Sequence, residues 1–155
     1  MGRCSVVVAE DHPAVAEQLR QLLAHDFEIW AVVADGQALV DAVRKFSPDV
    51  VVTDISMPKM DGIDAARMLL RTNPRSRVIL LTVHNDLNLV RESMLAGCSG
   101  YVLKSSAGEE LLPAISTALQ GGTFLSAELG PAEVLDELKR SCARLAEYQA
   151  LGDKV

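Results

Sequence analysis

Val50-Val51-Val52-Thr53-Asp54 is a run of β-branched residues ending in a carboxylate, and Ile55-Ser56-Met57-Pro58-Lys59-Met60-Asp61-Gly62 follows it. An apolar run without polar alternation predicts a strand buried on both faces of a parallel sheet. Such a strand is a rigid mount, and open α/β sheets bind their ligands at the carboxyl ends of their strands. The Pro- and Gly-bearing loop lets the chain turn away without covering the acid. Asp54 therefore reads as a nucleophile held at the top of a sheet.

Outward from this run, apolar strands and helical stripes alternate. On the amino side, Ser5 to Ala9 predicts a first strand ending in Glu10-Asp11-His12-Pro13. Pro13 suits the first turn of a helix, where its missing N–H costs nothing. Val15, Leu19, Leu22 and Leu23 give that helix one buried stripe. Phe27 to Ala34 predicts a second strand, and Asp35-Gly36 opens a second helix with Leu39, Val40 and Val43 inward. On the carboxyl side, Ile63 to Thr72 predicts a helix and Arg77 to Thr82 a fourth strand. A helix through Leu89, Val90 and Met94 follows, then a fifth strand, Gly100 to Leu103, ending at Lys104. Ser106 with Glu109 predicts a capping box for a fifth helix, with Pro113 inside it and Gly121-Gly122 at its end. Alternating strands and helices imply right-handed crossovers and a five-stranded, doubly wound parallel sheet of order 2-1-3-4-5.

After Ser126 the pattern changes. Residues 1–126 read as one domain, and residues 127–155 as a linker and a C-terminal helix. Leu135, Leu138, Cys142 and Leu145 recur at three- and four-residue steps for about two heptads. That is too few to establish a coiled coil, and packing on the helix's own domain explains them equally well.

Composition bounds the function. A chain of 155 residues with formal net charge −6 has no electrostatic reason to seek nucleic acid or anionic lipid. Cys4, Cys98 and Cys142 are odd in number and widely spaced, as expected of free thiols in a reducing compartment. With neither a leader nor an apolar run of membrane-spanning length, a soluble cytoplasmic protein is the expectation.

The informative fact is positional. The first strand ends in Glu10-Asp11, the third in Asp54, the fourth in Thr82 and the fifth in Lys104. In the 2-1-3-4-5 order the first and third strands flank the switch point, which brings Glu10, Asp11 and Asp54 together. Carboxylates in one crevice repel each other and call for a cation. Magnesium suits a site with few protein ligands, and the backbone carbonyl of Ser56 is a further candidate ligand. Lys104 and Thr82 add a positive charge and a hydroxyl. Together these are the partners of a phosphoryl group in in-line transfer, with Asp54 as the covalent acceptor. Singly, each residue has a bland explanation: Asp54 as a helix cap, Glu10-Asp11 as solvated charge, Thr82 as a strand residue, Lys104 as a surface lysine. The conjunction at matching strand ends favours function. His12, His25 and His84 show no ligand spacing and are not expected to bind metal.

This pattern resembles a response-regulator receiver domain, the CheY-like module of two-component signalling, most closely the class preceding LuxR/NarL-type helix-turn-helix output domains. The resemblance covers about Ser5 to Ser126. It rests on Ala9-Glu10-Asp11-His12-Pro13, Asp54 through Gly62, Leu81-Thr82-Val83-His84, Gly100-Tyr101-Val102-Leu103-Lys104, and Gly121-Gly122-Thr123-Phe124-Leu125-Ser126. It implies that Asp54 accepts a phosphoryl group from a sensor histidine kinase, with Mg2+ held by Glu10, Asp11, Asp54 and the Ser56 carbonyl. Lys104 would pair with the phosphoryl group and Thr82 move to bond it. Tyr101 would follow inward and reshape the face of the fourth helix, fifth strand and fifth helix. Ser56 and His84 would tune the lifetime of the phosphoaspartate. Ser105 stands where many receivers have proline, so no cis bond is expected. Val83 is bulkier than the residue common there and is expected to narrow access to the phosphoryl pocket.

The resemblance implies transcription control through a DNA-binding output domain that this stretch of chain is too short to contain. The alternative is a stand-alone receiver acting by protein contacts, as a relay or phosphate sink. The last helix, or the fourth and fifth, offers surfaces for a homodimer. No enzymatic turnover is expected beyond the domain's own phosphotransfer and slow autodephosphorylation. A haloacid-dehalogenase-type phosphatase would want Asp at position 56, where this chain has Ser56. A flavodoxin would want a Ser/Thr/Gly-rich loop in place of Glu10-Asp11-His12-Pro13.

Overall fold

The computed structural model describes residues 3–152; of the tail expected over 127–155, residues 153–155 lie outside the described residues. Strands β1 (Ser5–Ala9), β2 (Glu28–Val33), β3 (Val50–Asp54), β4 (Arg77–Thr82), β5 (Gly100–Leu103) and β6 (Phe124–Leu125) form one parallel sheet of order β2-β1-β3-β4-β5-β6. The helices are α1 (Pro13–Ala24), α2 (Gly36–Phe46), α3 (Gly62–Thr72), α4 (Leu87–Leu95), α5 (Ala107–Leu119) and α6 (Ala132–Gly152). The expected order holds. The sheet gains one strand, because the two residues of β6 pair with Gly100 and Tyr101 of β5.

Every residue of β1 and β3 is buried, as a sheet covered on both sides requires. The pleat divides the core by strict alternation. Val7, Val51, Val78 and Leu80 face Leu39, Val43, Ala66, Leu69 and Val90 from α2, α3 and α4. Val6, Val8, Val50, Val52, Ile79 and Leu81 face Leu19 and Leu23 of α1 and Leu111, Ala114 and Ile115 of α5. Leu138 of α6 joins the first of these cores, and Cys142 is also buried. The C-terminal helix thus packs on its own domain, while Leu145 stays exposed.

One local expectation is corrected. Ser106 makes no side-chain capping bond to α5; a 3-10 turn over Lys104–Ser106 leads into the helix instead. In β2 the pairing with β1 slips between Val6 and Val7, so Trp30 is the extra residue of a bulge on this edge strand. Its half-exposed ring tilts against Phe46 of α2, with centroids 6.2 Å apart.

Candidate functional site

Strand register delivers the site. Ala9 pairs with Thr53, so Glu10 comes level with Asp54; Asp54 pairs with Leu81, and Thr82 with Leu103. Glu10, Asp54, Thr82 and Lys104 therefore meet at one edge of the sheet. The loop after Asp54 is pinned from beneath. The Gly62 amide donates to the Ile55 carbonyl at 2.7 Å, and a Cβ at Gly62 would stand 2.0 Å from the Asp54 carbonyl oxygen. Gly36 leaves the corresponding room for the Met60 carbonyl, so only glycine fits at either contact.

Asp54 does not cap a helix. Asp35, Asp61 and Asp86 do, each accepting from an amide in the first turn of α2, α3 or α4. Asp54 is instead buried, with Oδ1 accepting from the Ile55 amide at 2.7 Å. Its Oδ2 accepts from Lys104 Nζ at 2.9 Å. The same ammonium donates to both carboxylate oxygens of Glu10, at 3.1 and 2.9 Å. Burial works against this ammonium, but its hydrogen bonds to Asp54 and Glu10, and their charges, outweigh burial and hold its pKa above the usual lysine value.

The acids outnumber the lysine. Asp11 Oδ1 is buried and makes no hydrogen bond. His12 Nδ1 lies 3.2 Å from it and 3.2 Å from Glu10 Oε1, with hydrogen-bond geometry only toward Glu10. One ring N–H cannot serve both oxygens. Three carboxylates with a lone ammonium, all oxygen donors and one of them unsatisfied, fit a hard divalent cation. Glu10, Asp11 and His12 can each present one ligand atom, these atoms lying within 4.8 Å of one another. His12 is the residue that sequence spacing passed over, because neighbouring positions in a chain do not look like a ligand pattern. The strand-to-helix turn before Pro13 creates the grouping. Asp54 stands outside this group and is held by Lys104.

Thr82 is buried, and its Oγ1 accepts from the His84 amide at 3.1 Å. Tyr101 is turned inward in this structure, 2% exposed, its hydroxyl donating to the His84 carbonyl at 3.0 Å. Burial pushes this phenol up to about 12, opposed by Thr82 and aided by the charge of Asp86. Residues 82–84 thus link the site edge to the Tyr101 ring. Ser56 and His84 are exposed on the rim, and Val83 is 73% exposed, mostly in solvent. The described residues contain no cis peptide, Lys104–Ser105 included. A groove of about 750 Å³ lies along β2 between Arg3, Arg20 and Trp30 and includes none of these residues.

A doubly wound parallel sheet carrying an acid cluster, a lysine and a threonine on its carboxyl edge is the architecture of a signalling receiver. The sequence model of the response regulator receiver domain matches residues 6–116, and the chain belongs to that family. Among curated proteins it is 34% identical over 126 residues to the transcriptional regulatory protein DegU of Brevibacillus brevis, covering 80% of this chain and 53% of that one. It spans 53–62% of the length of three curated relatives that it matches. Among solved structures, a LuxR-family two-component response regulator from Aurantimonas sp. SI85-9A1 matches with TM-score 0.80 and 30% identity over 89% of this chain and 99% of that one. The isolated receiver domain of RcsB from Salmonella enterica serovar Typhimurium, in the presence of phosphomimetic BeF3−, matches with TM-score 0.73 and 27% identity over 88% and 99%. No helix among the described residues is long and apolar enough to cross a membrane.

Proposed function

We propose that Asp54 is the phosphoacceptor of a two-component response regulator, charged by a sensor histidine kinase. A carboxylate oxygen attacks the phosphorus of a phosphohistidine; the P–N bond breaks, an acyl P–O bond forms, and the protonated donor ring leaves as neutral imidazole. The observation that carries this reading is the Lys104 ammonium, 2.9 Å from both Asp54 and Glu10 on the carboxyl edge of the sheet. A phosphoryl group on Asp54 brings new anionic oxygens to an ammonium already in place. Magnesium, held by Glu10, Asp11, Asp54 and the Ser56 carbonyl, would offset charge on the transferring group.

The chain's own residues do the rest. Thr82 exchanges its bond from the His84 amide for one to a phosphoryl oxygen. The 82–84 segment shifts with it, and Tyr101, bonded to the His84 carbonyl, carries the change to the face of α4, β5 and α5. Ser56 and His84, exposed beside the site, set how readily water reaches the acyl phosphate. The domain turns over no other substrate.

The output is control of transcription through a helix-turn-helix domain, supported by relatives that are transcriptional regulatory proteins; DNA contact belongs to that domain, and a homodimer of receivers would align two of them. Intact mass after incubation with acetyl phosphate and magnesium tests the chemistry. A single phosphoryl adduct on the wild type, dependent on magnesium and absent from Asp54→Ala, is expected. Equal labelling of the two proteins would overturn it.

A further inference from the structure

We infer that His12 is a metal ligand that sets which cation the acid cluster prefers, admitting first-row transition ions in addition to magnesium. This rests on the proposed metal site at Glu10 and Asp11.

His12 occupies the N-cap position of α1, where a side chain ordinarily accepts a hydrogen bond from the first turn. It makes no such bond. The ring instead faces the acids, with Nδ1 3.2 Å from Glu10 Oε1 and 3.2 Å from Asp11 Oδ1. Pro13 fixes the first turn and leaves the amides a cap would serve, at the next two positions of α1, without a bond from His12. Glu10 offers a wholly buried carboxylate and Asp11 a buried oxygen with no hydrogen-bond partner. The imidazole is 70% exposed, so it can swing by χ1 and χ2 to follow an ion without disturbing the core.

The donor set decides the selectivity. Magnesium takes oxygen ligands in near-ideal octahedral geometry and gains little from an imidazole. Cobalt, iron and zinc in the divalent state accept imidazole readily and bind nitrogen-containing sites with rising affinity along the first row. Two carboxylates plus one imidazole therefore hold such an ion more tightly than carboxylates alone, while magnesium is served by the oxygens.

Titration calorimetry with Mg2+ and with Co2+, on wild type, His12→Ala and His12→Ser, tests this; serine restores a capping side chain and separates ligation from helix stability. The expected result is a loss of roughly 10-fold or more in Co2+ affinity in both variants, with Mg2+ affinity within about twofold of wild type. The visible absorption of bound Co2+ should change in the same variants and stay unchanged in His25→Ala. A Co2+ to Mg2+ preference unaltered by loss of His12 would overturn the inference while leaving the magnesium site intact. Absence of Mg2+ binding to the wild type would instead remove the site on which it rests.

Discussion

Two aspartates stand at opposite ends of one strand and do opposite things. Asp49, just before β3, accepts from the Ser5 amide at 2.9 Å and from its hydroxyl at 3.2 Å, and its own amide donates to that hydroxyl. Nearby, the Ser76 hydroxyl donates to the Pro48 carbonyl and Asn73 to the Ser47 hydroxyl. Neutral partners satisfy this end of the sheet, and its role is to tie β1, β3 and β4 together. Asp54, at the other end, shares the Lys104 ammonium with the buried Glu10 carboxylate, on the sheet edge that also carries Asp11 with its unpaired oxygen. A satisfied acid holds the fold, whereas an acid in an unbalanced cluster is ready to take a new charged partner.

The sharpest way to break that comparison is chemical. Asp54→Asn should abolish the acetyl-phosphate adduct, and Asp49→Asn should leave its yield close to wild type, both read by intact mass. An adduct that survives on Asp54→Asn would place the acceptor elsewhere and end the distinction.

A substitution beneath the site comes next in size. Gly62→Ala sets a methyl group 2.0 Å from the Asp54 carbonyl oxygen, a backbone atom that cannot rotate away. Destabilisation of about 3 kcal/mol, the upper part of the usual overpacking range, is expected in urea unfolding. Slower phosphorylation should accompany it, because the displaced carbonyl belongs to the acceptor itself. At the other end, Asp49→Ala strands the buried Ser5 amide and should cost about 1–2 kcal/mol with no change in phosphorylation rate. Equal rate losses in both variants would mean that the two ends are mechanically coupled.

How much of this was legible in the sequence follows the same division. The strands and their order were readable because uninterrupted apolar runs such as Val50-Val51-Val52 carry a strong signal and each ends in a polar residue. Glu10, Asp54, Thr82 and Lys104 were readable as one site because strand ends in a parallel sheet share an edge. β6 was not, since two residues pair with β5 through backbone bonds and leave no periodicity. The bulge at Trp30 and the failed cap at Ser106 depend on register and on a 3-10 turn, which side-chain type does not specify. His12 was passed over because its grouping with Glu10 and Asp11 arises from the turn and not from ligand spacing. The need for Gly36 and Gly62 came from contacts between distant segments, invisible to local pattern.

The smallest expected effect separates the two ends by pH alone. Cys98 lies just before β5, and burial, only partly offset by the charge of Arg67, pushes its thiol from 9.0 up to about 12. Tyr101 reaches toward the other end, its phenol raised from 10.0 to about 12. In both cases the folded state holds the proton more tightly than the unfolded chain. The stability they contribute is therefore complete below the unfolded value and is lost as pH rises from that value toward 12. For Cys98 the loss begins near pH 9 and exceeds about 1 kcal/mol by pH 10; for Tyr101 it is below about half a kcal/mol at pH 10. Urea unfolding at half-unit steps from pH 8 to pH 11 should show Cys98→Ala with a flatter decline than wild type, whatever its baseline. Tyr101→Phe should run parallel to wild type until close to pH 10 and diverge only above it. A Tyr101→Phe curve that stays parallel to wild type up to pH 11 would mean that the phenol is not held by burial and the His84 carbonyl as the structure has it. The link from Thr82 through residue 84 to the ring would then lose its structural basis, and the site edge would end at Thr82.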